Sequence, residues 1–155
     1  MVVTTLIRTC TVLAALVVAG CVFTKVEQGA LPWPVVPRSF TAPMNPARAV
    51  PPNNSHATGL VYATLSTEGM LRWNVAYQGL TGHATSAYFY GPAGPGANAV
   101  PLVNIGVLGV ASQMRGEAQL TPAQIVDLVN GRWYASVQTR ANPAGEIRGQ
   151  VVFQP

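Results

Sequence analysis

The stretch Gly69-Met-Leu-Arg-Trp-Asn-Val-Ala-Tyr-Gln-Gly79 changes polarity at nearly every residue. Leu71, Trp73, Val75 and Tyr77 fall on one side of an extended chain, and Arg72 and Asn74 on the other. A period of two is what a strand with one buried face requires, because successive side chains point to opposite sides. Thr67-Glu68-Gly69 just ahead of it has hairpin chemistry, with a glycine free to take positive φ. The segment before that turn, "TGLVYATLS" (58–66), alternates as well and reads as the partner strand. Five further runs follow: "ATSAYFY" (84–90), "PLVNIGVL" (101–108), "QMRGEAQL" (113–120), "RWYASVQT" (132–139) and "GEIRGQVVF" (145–153). Short alternating runs at turn-punctuated intervals predict an all-β fold, an antiparallel sandwich or Greek-key barrel.

One helix interrupts the strands. In "LTPAQIVDLVNG", Thr121 is placed to cap the N-terminus, Pro122 to take the first helical position and Gln124 to close a capping box. Asn130-Gly131 supplies the stop. Ile125, Leu128 and Val129 form an apolar stripe suited to covering an open end of the sandwich.

The composition narrows the function classes. The 155 residues suit one domain with a moderate core, and 15 glycines and 13 prolines argue for frequent turns. Only 9% of residues are charged, low for a cytosolic protein, and the net charge is +4. No Lys/Arg run is present, whereas a nucleic-acid surface would need a clustered basic stripe, so no nucleic-acid partner is expected.

The first twenty residues, "MVVTTLIRTCTVLAALVVAG", carry Arg8 and then an uncharged, increasingly apolar run from Thr9 to Ala19. A membrane-spanning helix needs ~20 apolar residues, so this run fits the apolar core of a secretory signal instead. It ends in Val17-Val-Ala-Gly-Cys21, which resembles the bacterial lipobox. That resemblance implies cleavage before Cys21 and diacylation of its thiol. A plain secretory signal with a chance cysteine is the alternative. Cys10 would leave with the leader, so the mature chain would hold a single thiol and no internal disulfide. The expected address is therefore outside the cytoplasm, lipid-anchored to a bacterial envelope. By the same resemblance, Val22 after the cysteine permits onward transport to the outer membrane in a Gram-negative cell.

Seven of the thirteen prolines lie between Pro32 and Pro52, a density that disfavours helix and central strand. Residues 21–46 accordingly read as an acylated, proline-rich tether, with Trp33 and Phe40 either packing on the domain's flank or resting at the lipid interface. The globular domain is assigned to residues 47–155.

With strands and helix in place, "ATGLVYATL", "AYQGLTGHAT", "GPAG", "LTPAQIVDLVNGRWYASVQT" and "ANPAGEIRGQV" occur in an order that resembles the CHRD (chordin) domain. The resemblance spans residues 47–153, and its most specific piece is "NPAGEIRGQ" (142–150). It implies a Greek-key β-sandwich, immunoglobulin-like or superoxide-dismutase-like. It also marks Gly91, Pro92, Asn142, Pro143, Gly145, Glu146 and Arg148 as signature positions. Glu146 and Arg148 share a face of the last predicted strand, where they are expected to hydrogen-bond to a neighbouring turn, the 91–96 loop among the choices.

Many bacterial members of that family carry histidines at three positions that here are Tyr88, Tyr90 and Gln138. A neutral phenol and a carboxamide are poor ligands for copper or zinc. No cofactor or metal is therefore expected, and two readings stay open for the trio: plain cross-strand neighbours, or a recognition patch. His56 and His83 lie 27 residues apart in a loop and a turn. "GPAGPG" (91–96) lacks the lysine and the backbone donors of a phosphate loop. Asp127 is the only aspartate and there is no Gly-x-Ser-x-Gly elbow, so a catalytic triad has nothing to stand on. The sequence thus points to a non-catalytic binding or structural module acting on an unknown envelope protein or polymer. A metal-handling or dismutase-like protein with a non-standard site is the alternative, and self-association through strand edges is a third reading.

Overall fold

The computed structural model describes residues 37–106 and 113–155. The leader, Cys21 and the tether as far as residue 36 lie outside the described residues. Nine strands are present among those described: β1 (Arg38–Met44), β2 (Thr58–Leu65), β3 (Met70–Gln78), β4 (Ala84–Tyr90), β5 (Pro101–Asn104), β6 (Gln113–Gln119), β7 (Tyr134–Thr139), β8 (Ile147–Gln150) and β9 (Val152–Gln154). They form two antiparallel sheets, ordered β6-β3-β2-β1-β9 and β5-β4-β7-β8. β6 returns beside β3, and β7 beside β4, after excursions into the opposite sheet, which is the long-connection pairing of a Greek key.

Alternation is realised where it was clearest. Leu71, Trp73 and Val75 are buried between the sheets while Arg72 and Asn74 face solvent, and β3 pairs with β2 across the expected hairpin. Trp73, Phe89 and Trp133 link the two sheets through successive ring contacts with centroids 5.5 and 6.0 Å apart. Burying side chains of this kind is worth roughly 1.5–3 kcal/mol each.

The one α-helix among the described residues, α1 (Pro122–Val129), has both halves of its capping box: Gln124 N donates to Thr121 Oγ1 at 3.3 Å, and Thr121 N to Gln124 Oε1 at 2.9 Å. Ile125 and Leu128 enter the core, with Val129 packed against it.

Three boundaries differ from the sequence reading. The sandwich begins at Arg38, inside the stretch read as tether. Phe40, Ala42 and Met44 alternate inward and are buried, which outweighs the local proline signal. Pro43 pairs with Leu60 of β2 but lies beyond the reach of β9, whose pairing with β1 goes no further than Thr41, so β9 does not call for the N–H that proline lacks; its carbonyl accepts from Arg48 Nη1 at 3.0 Å. The last predicted run is divided: β8 belongs to one sheet and β9 to the other, with buried Val151 carrying the chain across and donating to Trp133 O at 2.8 Å. β5 ends at Asn104, and residues 107–108 of its predicted run lie outside the described residues.

Candidate functional site

Side-chain alternation in β4 and β7 sends Phe89, Ala135 and Val137 into the core, and the neighbouring residues to the outer face of the four-stranded sheet. The register there sets Ser86 opposite Gln138, Tyr88 opposite Ser136 and Tyr90 opposite Tyr134. One strand further, Ser136 faces Arg148 and Tyr134 faces Gln150. Tyr88, Tyr90 and Gln138 are therefore brought together. The Tyr88 and Tyr90 rings meet edge to face at 5.9 Å. Gln138 Nε2 donates to the Tyr90 hydroxyl at 2.8 Å, and Ser86 Oγ donates to Gln138 Oε1 at 2.7 Å.

Tyr134, which the sequence reading did not single out, completes the face. Its ring stacks on Tyr90 with 5.0 Å between centroids and 6° between planes, and its hydroxyl accepts from Ala99 N at 3.0 Å. Burial raises the Tyr90 pKa; the nearby Tyr134 adds to this and the Gln138 bond opposes it. The signal for Tyr134 was present, since Tyr134, Ser136 and Gln138 alternate on one side of "RWYASVQT".

Arg148, opposite Ser136, belongs to this same face yet is only 3% exposed. Its guanidinium sits 3.5 Å from the centre of the Tyr134 ring. Nη2 donates to Ala97 O (2.7 Å) and Gly94 O (3.3 Å), and Nη1 donates to Asn98 Oδ1 (3.1 Å). The expected bond to the 91–96 loop is thus made. Every one of these partners is neutral, and no carboxylate pairs with Arg148 among the described residues. Burial accordingly lowers its pKa, against the favourable influence of Tyr134.

Glu146 is fully buried and differently equipped. Its carboxylate accepts from Ser55 Oγ (2.6 Å), Thr139 Oγ1 (2.6 Å), Thr81 N (2.8 Å) and Thr81 Oγ1 (2.8 Å). Burial alone would raise its pKa, but these hydrogen bonds outweigh that and hold it at about 2. Asn53 Nδ2 reinforces the knot by donating to Gly145 O and Glu146 O at 3.2 and 2.9 Å.

The remaining signature residues build turns. Asn142 N donates to Thr139 O and Gly145 N to Asn142 O, closing the Asn142-Pro143 turn. Gly145 takes φ 128°, where an added Cβ would lie 2.6 Å from Ser136 Oγ. A Cβ on Gly91, which precedes Pro92 through a cis peptide bond, would lie 2.9 Å from Trp133 Cδ1. The Glu146 knot also draws together the loops carrying His56 and His83. Among the described residues, no group of three or more His, Cys, Asp or Glu could hold a metal ion. Cys21 lies outside them.

Two cavities border Arg148. One, of about 230 Å³, is lined by Tyr90, Tyr134, Ser136, Gln138 and Asn98. The other, of about 820 Å³, lies toward the 43–52 segment and β9.

The family model of the CHRD domain matches residues 40–151. No match was found among curated proteins or solved structures.

Proposed function

The chain belongs to the CHRD domain family, and on that premise we propose that it is a lipid-anchored, non-catalytic binding module of a bacterial envelope. The family supports an extracellular-type binding or structural role in general. The anchor is read from the lipobox-like "VVAGC" ending at Cys21. The binding surface is the outer face of the four-stranded sheet.

The observation that carries this reading is the half-buried Tyr88/Tyr90 pair, backed by the buried Tyr134, Gln138 and Arg148, beside an open cavity. Tyrosines give rigid contact area with a polar tip and lose little rotamer entropy on binding. Here their orientations are fixed further by stacking and by the Gln138 and Ala99 hydrogen bonds.

Intact mass of protein extracted from membranes tests the anchor. The expected species begins at Cys21 and carries acyl chains; a chain retaining residues 1–20 would remove the envelope assignment. Crosslinking followed by affinity purification tests the binding role. A specific partner lost on Tyr88→Ala/Tyr90→Ala substitution is expected, and recovery that ignores those changes would refute the assigned face.

A further inference from the structure

The 820 Å³ cleft next to Arg148 falls within the ~300–1,000 Å³ usual for small-molecule sites. Its wall is apolar along Pro43, Ala47, Pro52, Pro95 and Val152. Two guanidinium groups interrupt that wall, Arg48 and Arg148, and no carboxylate among the described residues lines it. Arg148 has five N–H donors, of which Nη1 uses one and Nη2 two on protein oxygens. Its Nε–H and the second Nη1–H meet no acceptor among the described residues. Buried cations are ordinarily paired with an opposite charge. An unbalanced guanidinium in the lining of a largely apolar cleft is complementary to a ligand with a single negative charge and a hydrocarbon body.

We propose that this cleft binds an amphipathic monocarboxylate, an unbranched aliphatic acid, with its carboxylate toward Arg148 and Arg48 and its chain along the Pro43–Pro52–Val152 wall. The proposal rests on reading this domain as a binding module and names a ligand class for it. A single negative charge suffices, because only one of the two cations is buried. The chain supplies affinity that a bare anion would lack, roughly fourfold per methylene withdrawn from water.

The test uses the full chain in membranes, labelled with a diazirine-bearing dodecanoic acid and mapped by peptide mass. Adducts are expected within residues 43–52 and 95–96. Laurate should compete at least tenfold better than dodecanol, which lacks the charge, and butyrate, which lacks the tail, should compete poorly. Arg148 also supports the 94–98 loop, so its replacement could act through folding. Arg48→Gln and Val152→Asp change exposed positions instead, the first at the cost of one exposed hydrogen bond to Pro43 O, and each should cut labelling several-fold with the melting temperature lowered by no more than a few degrees. Adducts confined to residues 21–36 would overturn the proposal. So would dodecanol competing as well as laurate, dodecyl phosphate competing better than laurate, or Val152→Asp labelling like the parent. If labelling fails while the Tyr88/Tyr90-dependent partner is still recovered, the ligand class falls and the binding role stands.

Discussion

Glu146 and Arg148 are two residues apart, both buried, and solved by the fold in opposite ways. The carboxylate is surrounded by donors from three other segments, Ser55, Thr81 and Thr139, and borders neither cavity described above. The guanidinium rests on a ring and on neutral oxygens, and it lines two cavities. A charge whose requirements are met by its own chain holds loops together. One left incompletely met beside a cavity has capacity for something from outside. By that criterion the Glu146 end of the sheet is a structural knot and the Arg148 end the proposed binding surface.

The comparison breaks most readily at the knot. Glu146→Gln keeps the shape but removes the charge that four hydrogen bonds serve, and should cost about 3–5 kcal/mol in urea unfolding. A loss below ~1 kcal/mol, the net worth of one ordinary hydrogen bond, would mean the knot is not holding the loops. The same carboxylate predicts a pH dependence. Its pKa is lowered from 4.5 to about 2 in the folded chain. Its contribution is therefore fully present above 4.5 and lost as pH falls toward 2, a change on the order of 3 kcal/mol. A melting series from pH 6 to 2 should show this fall in the parent and a shallower one in Glu146→Gln.

Arg148→Met sharpens the contrast. It removes three hydrogen bonds but also an unbalanced buried charge, so its cost should be smaller, about 1–2 kcal/mol. If Arg148→Met proves more destabilising than Glu146→Gln, the assignment of knot and open site is reversed. Tyr134→Phe should have the smallest effect, ~1 kcal/mol, from the lost acceptor for Ala99 N. A Tyr134→Phe penalty equal to that of Glu146→Gln would show the aromatic face to be a second knot.

What the sequence disclosed follows the range of the interactions involved. The hairpin at Thr67-Glu68-Gly69, the alternation of β3 and the capping box of α1 depend on residues within a few positions, and each was legible. β1 was hidden because seven nearby prolines give a strong local signal. The burial of Phe40 and Met44 that overrides it depends in part on strands far along the chain, β9 beside Phe40 and β8 beside Met44. Tyr88, Tyr90 and Gln138 could be placed together through the family pattern, whereas Tyr134 needed the face of β7 to be traced backward from Gln138. The Glu146 partners were out of reach, since Ser55 and Thr81 stand 91 and 65 residues away. The cleft was equally invisible, because its wall joins the 43–52 segment, the 95–96 turn and β9.

The most direct measurement places one photocrosslinking amino acid at Tyr88 or at Tyr62 in the intact chain within living cells. Tyr62 is the control, an exposed tyrosine (60%) on the outer face of the other sheet. A discrete adduct is expected from position 88, absent from position 62 and diminished by Tyr90→Ala. Identical adducts from both positions, or an adduct from position 62 alone, would contradict it.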